Sequence, residues 1–400
     1  MHKEIIVTID IGSSKIIAAA GTKDEKGAVR MLALETEGTQ TSVRKGRIYY
    51  IEEVSQKIRV LINRLNFKLN GKISKVYVGL GGQSLMTENH EKSESYQPDL
   101  WEVLDDTQSK FILGYSSLKL NLNRCISENS DIEIAGYFVA PIATATATLT
   151  EQEKKSGCAL IEFGAGVTYL SVYKNNLLKY LVSIPVGGSA ITNDIYTLDN
   201  LEDVEEAEEL KIKYGNALRN NETDDSQTIT ALKHREINIE TFNDIVEART
   251  EEIIANIQNQ LNMSGFADVL RKGIIITGGG AALKNLAESI KEKIMQEVRI
   301  AHIKDELIGE GSLKYKQTPG IEETFGLLSL GTQNCVKEIA KQIVPPAQTI
   351  PVDLFGKPIE EKHKKRKFVE KSENIFTRFA NKASKGLFDD EDEKINAPNS

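Results

Sequence analysis

Four hundred residues, 40% hydrophobic and 27% charged, are more than one core usually serves, so two lobes and a tail are expected. A formal charge of −8 argues against a nucleic-acid partner, which would call for a basic surface. Three scattered cysteines (Cys125, Cys158, Cys335) give neither a disulfide framework nor metal-ligand spacing, as expected of a reduced cytoplasmic chain.

The chain opens as strands joined by tight turns. Glu4 to Ile11 is rich in β-formers, Gly12-Ser13-Ser14 turns, Lys15 to Ala20 returns, and Ala28 to Glu35 follows a polar loop. The spacing of Val54, Ile58, Leu61, Ile62 and Leu65 predicts a helix over Ile51 to Leu69. A strand over Lys75 to Leu80 runs into Gly81-Gly82. Then the opening pattern recurs 152 residues on, with Ile9-Asp10-Ile11-Gly12 matched by Ile161-Glu162-Phe163-Gly164. In both copies an apolar strand delivers an acid, a glycine turn follows, and a second apolar strand returns, here Thr168 to Tyr173. The period is too long for a solenoid and points to two similar α/β lobes. Helices are predicted over Val204 to Leu218, Ile245 to Leu261 and Leu283 to Ile294, with a strand at Gly273 to Thr277 ending in Gly278-Gly279-Gly280. After Val344, prolines and the basic run Lys362 to Lys367 mark a linker. No apolar run is long enough to span a bilayer, and Met1 to Gly12 lacks the marks of a signal peptide.

An acid at the end of a strand before a glycine turn is where an open α/β sheet places ligand chemistry. Without a Cβ, the turn's N–H groups approach phosphate oxygens closely, a carboxylate holds Mg²⁺ or its waters, and Lys15 reaches a phosphate. For a single turn the plainer account is topology alone; two copies with matching acids favour chemistry. The triple glycine lets a flat ring lie against backbone, its plain alternative being a mobile turn.

The order of these motifs resembles the actin superfamily: two phosphate loops, then an adenosine-side glycine turn. More narrowly the chain resembles the FtsA family. The segments that carry this are Ser42 to Gly46, Val76 to Gly82, Pro141 to Lys154, Pro185 to Gly188 with Ile191 to Ile195, and Ala207-Glu208 with Lys211 and Tyr214-Gly215. Glu247-Ala248-Arg249 with Glu251 to Ile253 belongs with them, and the likeness covers roughly residues 4–82 and 118–336. It implies a two-lobed actin-like ATPase fold of duplicated ribonuclease-H-like lobes, with ATP and Mg²⁺ in the cleft. Asp10, Gly12, Ser13, Ser14 and Lys15 fall at the β- and γ-phosphates, and Glu162, Gly164, Ala165, Gly166 and Thr168 on the second loop, with Gly187 and Gly188 beside it. Asp10 and Glu162 are the catalytic and, through water, the Mg²⁺-holding candidates. Glu208 and Lys211 would face the ribose or adenine, with Gly278, Gly279 and Gly280 opposite; an exposed i,i+3 ion pair is their plain alternative.

Two departures from the family pattern matter. The second loop begins with Glu162 where Asp is usual, Val167 replaces a threonine and Tyr169 an acid, so weak or absent hydrolysis is expected. The family-specific subdomain is cut to residues 83–118, with Trp101 read as the core of a miniature lobe and an interaction anchor as the alternative. The implied layout is a first lobe of 1–82 and 119–156 with 325–344 returning to it, and a second lobe of 157–324 with a partner-binding part about 198–265. A linker (345–373), an amphipathic helix (374–388) and an acidic tail (389–400) follow. Ile375, Phe376, Phe379, Ala383 and Leu387 share one stripe flanked by basic residues, as in a helix lying in a membrane interface; docking on protein is the alternative. The resemblance implies a protein that self-associates into filaments, binds the FtsZ C-terminal tail and later division proteins, and sits peripherally on the cytoplasmic face of the cell membrane at the division site. A small-metabolite kinase of the same superfamily is the rival, and it has no use for such a tail.

Overall fold

The structure, a computed structural model, describes residues 4–90, 100–128, 130–198, 201, 203–218, 228–230, 236–316 and 318–338. The linker, the expected helix at 374–388 and the acidic tail lie outside the described residues.

β1 (Ile6–Ile11) and β2 (Lys15–Lys23) form a hairpin about Gly12, and β3 (Val29–Gly38) pairs antiparallel with β2. A small hairpin, β4 (Val43–Arg44) and β5 (Arg47–Ile48), leads into α1 (Ile51–Leu69), whose predicted stripe is buried. α1 stops at Asn70, which takes the left-handed conformation (φ 49°) and donates its N–H to the Asn66 and Phe67 carbonyls. β6 (Gly71–Ile73) and β7 (Lys75–Leu80) follow. The chain then leaves this lobe: β8 (Met86–Glu88), β9 (Trp101–Asp106) and β10 (Phe111–Tyr115) join a different sheet. α2 (Ser117–Ile126) and β11 (Glu133–Val139) bring it back. The finished first sheet runs β3-β2-β1-β7-β11.

α3 (Ala140–Thr148) and α4 (Glu151–Ser156) cross to the second lobe. The segment Leu149 to Lys154 has a plain structural role, since Thr150 and Glu153 form a capping box at the start of α4 and Arg299 grips Glu153 at 2.7 and 2.9 Å. β12 (Cys158–Phe163), β13 (Thr168–Lys174) and β14 (Leu177–Ile184) form an antiparallel meander. α5 (Gly188–Leu198), α6 (Val204–Tyr214), a ribbon of β15 (Thr228–Thr230) with β16 (Glu236–Asn238), and α7 (Ile239–Met263) come next. β17 (Ile274–Thr277), α8 (Leu286–Ile294), β18 (Val298–Ile300), α9 (Ile321–Leu330) and β19 (Val336–Glu338) complete the described chain. The central part of the second sheet is ordered β14-β13-β12-β17-β18, the same antiparallel-then-parallel order as the first. The inferred duplication is thus a duplication of topology.

Residues 83–118 do not stand apart as a miniature lobe. β8 pairs with β14, and β10 and β9 extend the second sheet beyond it to eight strands. Leu85 and Ile112 bury into a cluster with Leu160, Leu181 and Ile275 of that sheet and Val139 and Ala145 from the crossover. Trp101 is partly buried against Tyr115, ring centroids 4.9 Å apart. The two larger cores lie one in each lobe. α9 returns to the first lobe and crosses α3 where Gly326 meets Ala143 so closely that a Cβ would collide with the Ala143 carbonyl. The cysteines are free and buried, and burial pushes the Cys125 thiol up to about 11 and the Cys158 thiol up to about 12. Both are inert packing groups.

Candidate functional site

The two acid–glycine turns are alike in their hydrogen bonds. Gly12 N–H donates to the Lys15 carbonyl and Gly164 N–H to the Val167 carbonyl, both at 3.0 Å. Asp10 sits opposite Ile17 in the first hairpin, and Glu162 opposite Tyr169 in the second. The fold brings the turns together. Gly166 packs against Ser13 and the Lys45 amide, where any Cβ would collide with the Ser13 side chain. Ser13 is itself fixed, accepting Gly46 N–H at Oγ (2.8 Å) and the Thr39 hydroxyl at its carbonyl (2.8 Å). Ser14 is exposed, and the Lys15 ammonium donates to the Pro319 carbonyl at 3.3 Å.

α5 begins against the second turn. Gly188 N–H donates to the Gly164 carbonyl (3.0 Å) and Ser189 N–H to Ala165 (2.8 Å), so the positive end of the helix dipole lies at Gly164–Gly166. A Cβ on Gly187 would strike the Gly164 carbonyl. Thr168 is fully buried and its hydroxyl donates to the Val186 carbonyl at 2.8 Å. Through Val186 this bond braces the chain just ahead of Gly187.

On the other side, Gly278 (φ 88°) lies against the Phe163 carbonyl, and Gly279 opens a 3₁₀ turn through Ala282. A Cβ on Gly279 would meet nothing within 4 Å, so that glycine faces open space. Glu208 and Lys211 pair with each other at 2.6 Å. Lys211 also donates to Thr192 Oγ1 (2.9 Å) and the Gly188 carbonyl (3.2 Å), which ties the pair to the start of α5. The motifs Ile191 to Ile195 and Glu247 to Ile253 meet through Arg249, whose Nε and Nη2 hold Asp194 at 2.5 and 3.1 Å. That contact joins α5 to α7 and is structural.

Two further acids, outside the two glycine turns, complete the floor. Glu322 and Glu323 lie in the first turn of α9, directly after Gly320, whose positive φ (75°) starts the helix beside Gly279. Glu323 Oε1 and Asp10 Oδ1 lie 2.9 and 3.5 Å from the point a Cβ on Gly79 would occupy. Burial pushes Asp10 up to about 6, with Glu323 and Lys15 opposing. Burial pushes Glu162 up to about 8, Thr144 opposing and the charges of Asp10 and Glu322 adding. Burial, then Asp10 and Glu162, hold Glu323 well above the carboxylate range. Glu162 Oε2, Glu322 Oε2, Glu323 Oε1 and Thr277 Oγ1 are buried without hydrogen-bond partners. In sequence, acids opening an apolar helix read as ordinary dipole partners; only the return of α9 to β1 reveals them.

This architecture is shared with solved structures. The PilM-PilN type IV pilus biogenesis complex gives a TM-score of 0.59 at 13% identity, covering 82% of this chain and 99% of that chain. The MamK double helical filament gives 0.53 at 13% identity, covering 82% and 98%. The class is therefore the actin-like fold, two duplicated lobes about a cleft. The family profile described as Cell division protein FtsA matches residues 159–317. Cell division protein FtsA of Porphyromonas gingivalis is 29% identical, over 91% of this chain and 88% of that protein, and that of Pseudomonas aeruginosa 25%, over 74% and 82%. Over most of its length the chain is similar to cell-division proteins of the FtsA family.

Proposed function

We propose that this chain binds ATP with Mg²⁺ in the cleft and serves cell division as an actin-like, polymerising adaptor that tethers FtsZ to the inner face of the membrane. The observation that carries the nucleotide reading is the contact of two matched acid–glycine turns at Gly166 and Ser13, flanked by the α5 N-terminus and the open face of Gly279. The unpartnered oxygens of Glu162 and Glu322 and the Thr277 hydroxyl suit a hydrated cation. Asp10 and Glu162 would hold Mg²⁺ through its waters, and the ion would supply charge neutralisation at the phosphates. MreB5 of Spiroplasma citri, a fold relative with a TM-score of 0.50, was solved with AMPPNP. Glu162, in place of Asp and held largely protonated near neutrality without a cation, suits slow turnover.

Residues about 198–265 are the proposed seat of the FtsZ C-terminal tail, and Ile375, Phe376, Phe379 and Leu387 the proposed membrane stripe. No helix among the described residues is long and apolar enough to cross a membrane. Pelleting with anionic liposomes, with and without ATP and an FtsZ tail peptide, tests the adaptor. The parent should pellet with lipid in ATP and carry the peptide down; Phe376→Glu with Phe379→Glu should stay in the supernatant while still binding ATP. A parent that never pellets, or a double variant that still does, removes the membrane anchor from the proposal. Turnover of many ATP per second would favour the kinase instead.

A further inference from the structure

We infer that the β4–β5 hairpin is a docking point for an acidic peptide segment of a partner protein, gripped by Arg44 and Arg47 beside the ring of Tyr49. The inference stands apart from the nucleotide reading above.

The hairpin is short and firmly seated. Its two-residue turn, Lys45-Gly46, has positive φ at both positions (51° and 69°), and the flanking residues pair Val43 with Ile48 and Arg44 with Arg47. Val43 and Ile48 are buried beneath it. Backbone bonds fix the rest: Gly46 N–H donates to Ser13 Oγ (2.8 Å), Gln83 N–H to the Lys45 carbonyl (3.1 Å), and Tyr49 N–H to the Ser42 carbonyl (2.9 Å). A Cβ on Gly46 would stand 2.4 Å from the Gly82 Cα, so the tip lies backbone to backbone against the end of β7. The outward side chains therefore start from a fixed frame, which lowers the ordering cost of binding.

Those side chains are Arg44, Lys45, Arg47, Tyr49 and Tyr50, all exposed. Arg44 and Arg47 stand directly opposite each other on the two strands, and like charges so placed are destabilising. Neither guanidinium, nor the Lys45 ammonium, has an acidic partner among the described residues. Both guanidiniums lie over the same Tyr49 ring, 5.9 and 5.6 Å from its centroid, which supports them without neutralising them. The helix that follows is built the other way. On α1, Lys57, Arg59, Arg64 and Lys68 each pair with an acid of α1 or β3. Uncompensated charge is thus a local property of the hairpin.

Tyrosine and arginine are among the residues that dominate the energy of protein–protein contacts. A guanidinium meets a carboxylate with two parallel hydrogen bonds, which an ammonium cannot do. An extended peptide with acids at alternate positions shows both carboxylates on one face, as two neighbouring arginines require. A diffuse anionic surface such as a membrane needs neither the fork nor the rigid seat.

The experiment follows a fluorescein-labelled octapeptide of alternating glutamate and alanine by anisotropy, with the full chain and with Arg44→Gln plus Arg47→Gln. The parent should bind, and the double variant should bind at least about tenfold more weakly, the loss of one charge-assisted pair. Parent binding should weaken as salt is added. Arg44→Lys with Arg47→Lys keeps the charge but loses the fork, and should not restore parent affinity. In melting curves the glutamine variant should be no less stable than the parent, since a repulsion is removed. A parent that ignores the peptide, or a glutamine variant that binds it equally well, overturns the inference. Full rescue by the lysine variant, with binding to phosphatidylserine vesicles lost in the glutamine variant, overturns it in favour of a membrane surface. Self-association lost in the glutamine variant by sedimentation velocity, with no peptide bound by the parent, overturns it in favour of a second copy of the chain.

Discussion

The two acid–glycine turns share strand order, register and hydrogen bonds, yet they face different tasks. Opposite Asp10 stands Ile17, an apolar residue buried in the first lobe. Opposite Glu162 stands Tyr169, whose hydroxyl accepts Gly82 N–H at 2.5 Å, from the segment that leaves the first lobe after β7. The first turn is held by its own lobe; the second is also held to the other one. Duplication supplied one scaffold, and side-chain choice made the second copy a joint between lobes.

The largest effect should come from filling the turns. A Cβ on Gly12 would stand 3.1 Å from the Lys15 carbonyl, whereas on Gly164 it would stand 2.6 Å from the Val167 carbonyl. Gly164→Ala should therefore destabilise by about 1–3 kcal/mol more than Gly12→Ala in denaturant titrations. Equal losses would show that the second turn relaxes freely and that the copies are alike in tightness. Next is Tyr169→Phe, which strands the Gly82 N–H and should cost about 1–3 kcal/mol in the same assay. A neutral result would mean the joint contributes nothing.

A pH dependence separates the acids. Because Glu162 is raised from 4.5 to about 8, it binds a proton in the folded chain that it would release when unfolded between those values. Its contribution to stability is whole below about pH 4.5 and is lost as pH rises through about 8. Without divalent cation, the advantage of Glu162→Gln over the parent should grow across that window; a constant difference would refute the assignment. Asp10→Asn should show the same trend over the narrower range from 3.8 to about 6. Smallest is Glu162→Asp, expected to raise a slow ATPase rate modestly in a phosphate-release assay. No gain would mean that the extra methylene is not what limits turnover.

Much of this was legible in the sequence. The stripe of Val54 to Leu65 fixed Ile51–Leu69, and Lys75–Leu80 stands as expected, because each is bounded by local signals. α7 starts at Ile239 instead of Ile245, since the Asn238 side chain accepts Thr241 N–H and caps an earlier turn. The helix expected from Leu283 starts at Leu286, after a 3₁₀ turn made by the glycines and the left-handed Asn285. What stayed hidden is long-range. The pairing of Met86 with Val182, which puts β8 on the second sheet, joins residues far apart in the sequence, and no local period reports it. Glu322 and Glu323 gain meaning only from Asp10 and Glu162, more than 150 residues away.

The crossing of α3 and α9 carries one more consequence. Gly326 meets the Ala143 carbonyl with no room for even a methyl group, so the two helices have no slack along the line between them. Helices in such contact cannot draw closer without moving backbone, so the crossing fixes the spacing of the two elements that lead out of and back into the first lobe.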